Sequence, residues 1–499
     1  MRALPNVYRR VAVWCLMLCA TASLACEAVP SGETVWVRLT TPVSSYSAKI
    51  GDPLQAVVTE EVVCGNSTII PVGAHVEGTV QSVRKVGLGI RHETAALRLA
   101  FNQVSVVSGE LIPITTTIVS VDNAREQVSN GVVHGINSTY TPQGRITSRL
   151  KYLPSLNPYP DIGLLLFKAT FPIFPEPEIY LPAGADLELK LASPAIPPHV
   201  TAEANPSPRT EAKPDSELAA LVASLPVRST TVDMVNADVV NLAFIGSRQQ
   251  VQSAFAHAGW EASSSLNRHT FTHNFYAFLN NSGYAQAPMR PFLLEGQASE
   301  MSWEKSLNSY ARRDHLRLWE WSGSSGTDTL WLSSATHDSS ASLSVKYHRL
   351  LHHIDPDIDE ERSKVIRNLR AAGCVQSVTF VPRHGVANLS QNATGDMVRT
   401  DGAIAVVQLQ DCHAVVPELA SAPKTVEYKP GNKVFRYFRR EVLTLRSDLW
   451  RSNIIYGTYD LARMSIHAWK HRSAAVATSA DARATTQAAS TADGSTMAP

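Results

Sequence analysis

Two rhythms of apolar and polar positions run along this chain. From residue 34 to about 194 the period is two. Residues 35–39, 54–63, 75–83, 95–101 and 112–119 are β-branched or alternating runs, separated by Gly, Asn, Pro and Ser turns. Successive side chains of a strand point to opposite faces, so this rhythm predicts strands with one buried face. Their even spacing predicts an all-β barrel or sandwich. Two matching turns, Pro71-Val72-Gly73-Ala74 and Pro182-Ala183-Gly184-Ala185, lead into strands early and late in this half.

After residue 217 the rhythm is mixed. The run Asp-Val-Val-Asn-Leu-Ala-Phe-Ile-Gly at 238–246 predicts a buried strand. Ser247 to Gln250 reads as a capping box, Val251, Ala254, Phe255 and Ala258 form a helical stripe, and Gly259 stops it. Further strands are expected at 315–321, 329–335, 374–381 and 403–409. A helix is expected at 356–372, with Ile358, Val365, Ile366, Leu369 and Ala372 on one face and Gly373 at its C′ position. The pattern predicts a multidomain chain: an all-β barrel or sandwich, then an α+β domain with one sheet and packed helices. The divisions expected are a signal peptide at 1–28, a β-rich domain at 29–193 and a proline-rich linker at 194–216. An α+β domain at 217–430, a basic amphipathic helical segment at 431–472 and a disordered tail at 473–499 follow. The linker's prolines make it semi-extended, so the two domains need not pack tightly. Residues 131–175 break the β rhythm with glycines, prolines and tyrosines, and read as a loop covering the barrel's open end, with an insertion that docks on a partner or a lipid surface as the alternative.

Charge and compartment narrow the picture. With 45 basic and 44 acidic residues the net charge is +1, which leaves no electrostatic footprint for nucleic acid. Arg2, Arg9 and Arg10 precede the apolar run 11–18, and Ala20, Ala22 and Ala25 follow, the pattern of an export signal. Cleavage after Ala25 leaves Cys26 at the new N-terminus, as in a lipoprotein; ordinary cleavage after Ala25 or Ala28 is the other reading. The expected location is the periplasm or outer envelope. The partners expected there are envelope proteins or a membrane surface; the basic, aromatic stretch 434–472 reads as amphipathic helix that packs on the domain, the more usual outcome, or touches an anionic membrane surface. Cys374 precedes one expected strand and Cys412 follows another, so a hairpin between them would bring both together as a disulfide; two separate buried thiols are the alternative.

The densest chemistry is His-His-Ile-Asp-Pro-Asp-Ile-Asp-Glu-Glu-Arg at 352–362. Asp355 before Pro356 reads as an N-cap with proline at the first helical position. Asp357, Asp359, Glu360 and Glu361 then meet the positive end of the helix dipole. The same residues admit a functional reading. Asp355, Asp359 and Arg362 step along one face with His352 or His353 beside them, a set able to bind a divalent metal, with His353, Asp355 and Asp359 as its ligands. The alternation of His315, Arg317 and Trp319 places all three on one strand face, suited to an anionic or sugar-like ligand. The alternative there pairs Arg317 with the carboxylates at 355–361 and buries Trp319 as core. His337 beside Asp338 is an acid-base candidate, although strand neighbours point to opposite faces.

Several separated motifs occur in a shared order: Asn-Leu-Ala-Phe-Ile-Gly at 241–246, Ala-Gly-Trp at 258–260, Tyr284 with Pro288 and the stretch 296–305. Arg-Asp-His-Leu-Arg-Leu-Trp at 313–319, Trp331 with Ala335 and Asp338, and 352–362 complete the set. Together they resemble the LssY C-terminal domain over residues 225–412. That resemblance implies a soluble domain, found alone or fused to membrane modules and named after a component of type I secretion, with no established reaction. The positions that match its motifs are His315, Arg317, Trp319, Asp338, His352, His353, Asp355, Asp359 and Arg362. Two departures stand out: Gly296-Gln297-Ala298-Ser299-Glu300 replaces the usual Gly-Arg-x-Gln-Asp, and Asp314 stands where a second histidine is usual. The strand rhythm and turns of 34–192, with the Ser108-Gly109-Glu110 turn between them, resemble the outer barrel component of type IV secretion and conjugation systems. The sequence reads first as a non-enzymatic, secretion-associated binding or scaffold protein. A metal-assisted hydrolase built on His315, Asp338, His352 or His353, Asp355 and Asp359 is the competing reading.

Overall fold

The computed structural model describes residues 28–137, 176–196, 214–263, 277, 289–420 and scattered positions from 431 to 469. It has breaks at 65–66, 89–91, 107, 123–124, 307, 310–311, 322–328 and 345–348. The expected signal segment before Ala28, most of the linker, most of the 131–175 interruption, Tyr284, Pro288 and the tail lie outside the described residues.

The period-two half forms one antiparallel sheet. Its main strands are β1 (Thr34–Leu39), β2 (Pro53–Val58), β3 (His75–Arg84), β4 (Ala96–Ser105), β5 (Thr116–Val121), β6 (Gln127–Ser129), β7 (Val132–His134) and β8 (Asp186–Leu191). They lie in the order β6-β7-β4-β3-β2-β1-β8-β5. The sheet curls into a nearly closed barrel. Thr116, on the edge strand β5, reaches β4: its Oγ1 donates to the Phe101 carbonyl at 2.9 Å and accepts from the Phe101 amide at 3.3 Å. Alternation does what the sequence predicts, with Leu187, Leu189 and Leu191 of β8 buried and the residues between them not. Gly73 and Gly184 have φ of 83° and 91°, the left-handed region that the third position of each Pro-x-Gly turn requires.

The second half is an α+β layer. Its elements are α1 (Ser216–Ser224), β9 (Leu242–Ile245), α2 (Arg248–His257), β10 (Glu261–Ala262), β11 (Met301–Ser306), β12 (Arg313–Trp321), β13 (Leu330–Ser344) and β14 (Arg349–Ile354). They continue with α3 (Ile358–Ala371), β15 (Val375–Pro382), the small hairpin β16 (Leu389–Gln391) and β17 (Met397–Arg399), and β18 (Ala403–Leu409). The main sheet runs β10-β11-β12-β13-β9-β18-β15, with β14 paired to the outer end of β13. Only the β9–β18 pair is parallel among these described strands. Helices α2 and α3 cover one face, where Phe255, Val365 and Leu369 pack against Trp303, Leu316, Leu318 and Ala335. Burying each such large side chain contributes about 1.5–3 kcal/mol. Val222 of α1 covers the other face with Leu225, Trp319, Leu332 and Ile404.

Local chemistry fixes the helix ends. Ser247 and Gln250 form the expected capping box, and Gly259 follows the last turn of α2 with φ 83°. At the end of α3, Gly373 N–H donates to Arg370 O at 2.8 Å and Cys374 N–H to Leu369 O at 3.0 Å. Those two bonds define a Schellman turn with glycine in the left-handed position. The neighbouring strands β15 and β18 pair antiparallel, and Cys374 and Cys412 are joined as a disulfide.

Two expectations for the second half are corrected. The 238–246 run is not one strand: it breaks at Asn241, whose buried amide donates to Ala335 O and Ile358 O and accepts from Ala335 N–H. The start of α3 also differs. Asp355 is not its N-cap, because residues 349–354 continue as strand β14 and Asp357 bridges Arg399 in β17. Sheet pairing holds the chain extended two residues further than local capping predicts. Asp357 is the N-cap, with no side-chain bond to the helix, and Asp355 Oδ1 accepts from Asp357 N–H at 3.0 Å.

The barrel and the α+β portion belong to one compact unit. Inside it a polar seam joins barrel to helix α3. Arg38 of β1, 1% exposed, donates to Asp186 at 2.7 and 2.9 Å, to the Leu419 carbonyl at 2.6 Å and to Asn368 of α3 at 3.2 Å. Lys305 of β11 lies 3.4 Å from both Asp122 and Asp186. Arg367 of α3 stacks 3.6 Å from the Trp36 ring. Val57 of β2, Ala371 and Leu419 form a small apolar cluster beside these charges.

Candidate functional site

The central strands β12 and β13 are paired so that Arg313 opposes Asp338, Asp314 opposes His337, His315 opposes Thr336 and Arg317 opposes Ser334. Opposed residues share a face. One face therefore carries Arg313, His315, Arg317, Thr336 and Asp338, and the other carries Asp314 and His337. Both faces bury their charges, except that the His337 side chain is 27% exposed.

On the first face Asp338, 1% exposed, is the hub. Arg313 Nε donates to its Oδ2 at 3.0 Å, His352 Nδ1 lies 3.0 Å from Oδ2, and His315 Nδ1 lies 3.6 Å from Oδ1. Burial alone would raise the Asp338 pKa, but His315, His352 and Arg313 outweigh it and hold the carboxyl well below the usual range. Burial pushes His315 down to about 3, so it is neutral at pH 7, with Nε2 at 3.0 Å from Thr336 Oγ1. Arg313 also donates to Glu304 at 2.9 Å. Arg317 does not pair with the carboxylates at 355–361: it donates to Asp238 at 3.0 Å and stacks 4.1 Å from the Phe292 ring. Asp238 is nearer because residues 236–239 run beside this face, a placement set by tertiary topology. Trp319 is 2% exposed and packs in the α1 core, as its structural reading anticipates.

The proposed metal set His353, Asp355 and Asp359 does not converge. His353 Nδ1 lies 2.7 Å from Asp396 Oδ1. Asp355 closes the turn before α3. Asp359 accepts from Thr400 Oγ1 at 2.8 Å and Asp401 N–H at 2.5 Å. Arg362 grips Asp401 with two hydrogen bonds, at 2.9 and 2.8 Å, and donates to the Ala403 carbonyl at 2.7 Å. The physical reason is the strand β14: His352 and His353 are neighbours in it and point to opposite faces, so only His352 reaches Asp338. Asp355 and Asp359 meanwhile fasten the turn and the loop that follows β17. The hydrolase constellation reduces to His315, Asp338 and His352, with Arg313 neutralising the carboxylate.

The second face holds a cluster that the sequence reading named only in pieces. His337 Nδ1 lies 2.6 Å from Asp314 Oδ1. Lys364 of α3 places Nζ 2.5 Å from Asp314 Oδ2 and 2.7 Å from Asp122 Oδ1 at the end of β5 in the barrel. Glu361, 3% exposed, completes the group, and its Oε1 has no hydrogen-bond partner among the described residues. Burial lowers the His337 pKa, but the hydrogen bond and charge of Asp314 reverse that and lift it to about 9. Burial, reinforced by Asp314, pushes Glu361 up to about 8. Burial also opposes Lys364's charge, yet Asp122, Asp314 and Glu361 hold its pKa above the ordinary value. Glu361 had a sequence signal. It follows Ile358 by three and precedes Val365 by four, so it sits on the apolar stripe of α3 and not on its solvent side. Asp122 carried no local signal.

Residues 222–404 match the family model described as LssY C-terminus. No curated protein matches the chain. Among solved structures, ComB10 of the Com type IV secretion system of Helicobacter pylori is 12% identical, covering 35% of this chain and 92% of that chain, with a TM-score of 0.21. No described helix is long and apolar enough to cross a membrane.

Proposed function

We propose that this protein is an exported cell-envelope component that works by binding and holding, with its barrel and its LssY C-terminus portion acting as one body. The observation that carries this reading is the buried seam of Arg38, Asp186, Lys305, Asp122, Lys364 and Asn368. Buried charges answered across two folds cost several kcal/mol each to separate, so relative motion of barrel and sheet is disfavoured. The export pattern at 1–28 and the Cys374–Cys412 disulfide support an oxidising compartment. Its partner is an envelope protein or the membrane surface itself.

The test is cell fractionation with mass spectrometry of the mature N-terminus, paired with thermal unfolding of the purified protein. The expected result is envelope or periplasmic material beginning at Cys26 or Val29, with one cooperative transition. Uncleaved protein confined to the cytoplasm, or separate transitions for the two folds, would overturn the proposal.

The convergence of His315, Asp338 and His352 favours a second reading, hydrolysis with His352 as a general base oriented by Asp338. A panel of phosphate and acyl esters, assayed with and without Mn²⁺, decides it. Turnover abolished by His352→Ala in a folded variant would establish the hydrolase, and no turnover would exclude it for those ester classes.

A further inference from the structure

We propose that Asp314, His337 and Glu361 form a binding site for a divalent transition-metal ion, a site outside both readings above. One ligand atom from each of the three residues lies within 4.8 Å of the other two. The fold supplies them from three elements: Asp314 and His337 face each other across the β12–β13 ladder, and Glu361 descends onto them from the first turn of α3.

Glu361 is the observation that points to a ligand. At 3% exposure, its Oε1 has no hydrogen-bond partner among the described residues. A polar atom buried this deeply normally has a partner, and a bound cation would supply one. The donor set of one imidazole nitrogen and two carboxylate oxygens suits Zn²⁺, Mn²⁺ or Fe²⁺, and offers too few oxygens for Ca²⁺. The His337 side chain is 27% exposed, which gives an ion its way in.

Lys364 is the counter-ion that such a metal would replace. Its Nζ bridges Asp314 at 2.5 Å and Asp122 of the barrel at 2.7 Å. A metal ion that takes the Asp314 carboxylate leaves Lys364 paired with Asp122 alone. Metal occupancy would thus convert a bridge between barrel, strand and helix into a single ion pair, which links the site to the seam.

The experiment uses untagged full-length mature protein, stripped with chelator and titrated separately with Zn²⁺, Mn²⁺ and Co²⁺ by calorimetry, with visible absorption for Co²⁺. The expected result is one equivalent of at least one ion. Glu361→Gln should weaken it by about 10-fold or more while leaving the metal-free thermal midpoint unchanged or higher. His337→Asn should weaken it similarly, and His353→Ala, whose ring pairs with Asp396, should bind as wild type does. No stoichiometric binding at millimolar ion would overturn the site. So would unchanged affinity in His337→Asn, whose partly exposed side chain makes it the variant that decides if Glu361→Gln does not fold.

Discussion

The two faces of the β12–β13 pair carry similar side chains to different ends. On one, Asp338 is answered by Arg313, His315 and His352, and Arg317 by Asp238, all within the α+β portion. On the other, Asp314 is answered by His337 and by Lys364, which also reaches Asp122 in the barrel. The first network ties together strands of a single sheet. The second spans β12, β13, α3 and the barrel's Asp122, and in it Glu361 Oε1 has no hydrogen-bond partner among the described residues. Charge buried within one fold specifies that fold; charge buried between folds couples them and is where a ligand can change the coupling.

The largest effect expected is from Asp338→Ala, which takes a buried carboxylate away from Arg313, His315 and His352 and should cost about 3–5 kcal/mol in urea denaturation. Asp314→Ala should cost less, because Lys364 keeps Asp122 and the partly exposed His337 reaches water. The reverse order would break the contrast between a network within one fold and one that spans two.

A smaller effect, and one of opposite sign for the two faces, is expected with pH in chelator. His337 is raised to about 9 and Glu361 to about 8, above their ordinary values near 6.5 and 4.5. The folded state therefore holds more protons than the unfolded state in these intervals, and stability falls as pH rises toward 9. The slope is at most about 1.4 kcal/mol per pH unit for each group. His315 is depressed to about 3, so the unfolded chain binds the extra proton and its contribution is lost as pH falls from about 6.5 toward 3. Denaturation midpoints from pH 5 to 9 should flatten in Glu361→Gln on the alkaline side; an unchanged slope would contradict the assignment of that loss to the spanning network.

The smallest effect expected is from Asp355→Ala, which lies outside both networks. It removes one hydrogen bond to Asp357 N–H, worth about 0.5–1.5 kcal/mol. It should leave metal affinity unchanged, and a loss of bound metal would return the site to the 352–362 run.

The sequence made legible whatever depends on near neighbours. Half-buried alternation located barrel strands β1 to β5 but not β6 or β7, the latter lying inside the stretch 131–175 read as an interruption, and Ser247, Gly259 and Gly373 marked helix ends because caps are built from residues a few positions apart. Ladder register was not legible. Nothing in the sequence alone sets Asp314 opposite His337, or Arg317 beside Asp238 about 80 positions earlier. The acidic run after His353 has a sound helix-start chemistry, yet strand pairing of 349–354 and the Asp357–Arg399 bridge delayed the helix. The seam left one trace: Arg38 lies between Val37 and Leu39 in a strand whose neighbours are buried, which is an unusual place for a guanidinium without a partner.

Hydrogen exchange read by mass spectrometry, on wild type and Arg38→Met, tests most directly whether barrel and α+β portion act as one body. Removing this guanidinium takes away the donor that ties β1 to Asn368 and the Leu419 carbonyl. Thr34–Leu39 and Ile358–Ala371 are expected to lose protection together and by a similar factor. Loosened barrel strands beside an α3 that exchanges as in wild type would contradict that expectation.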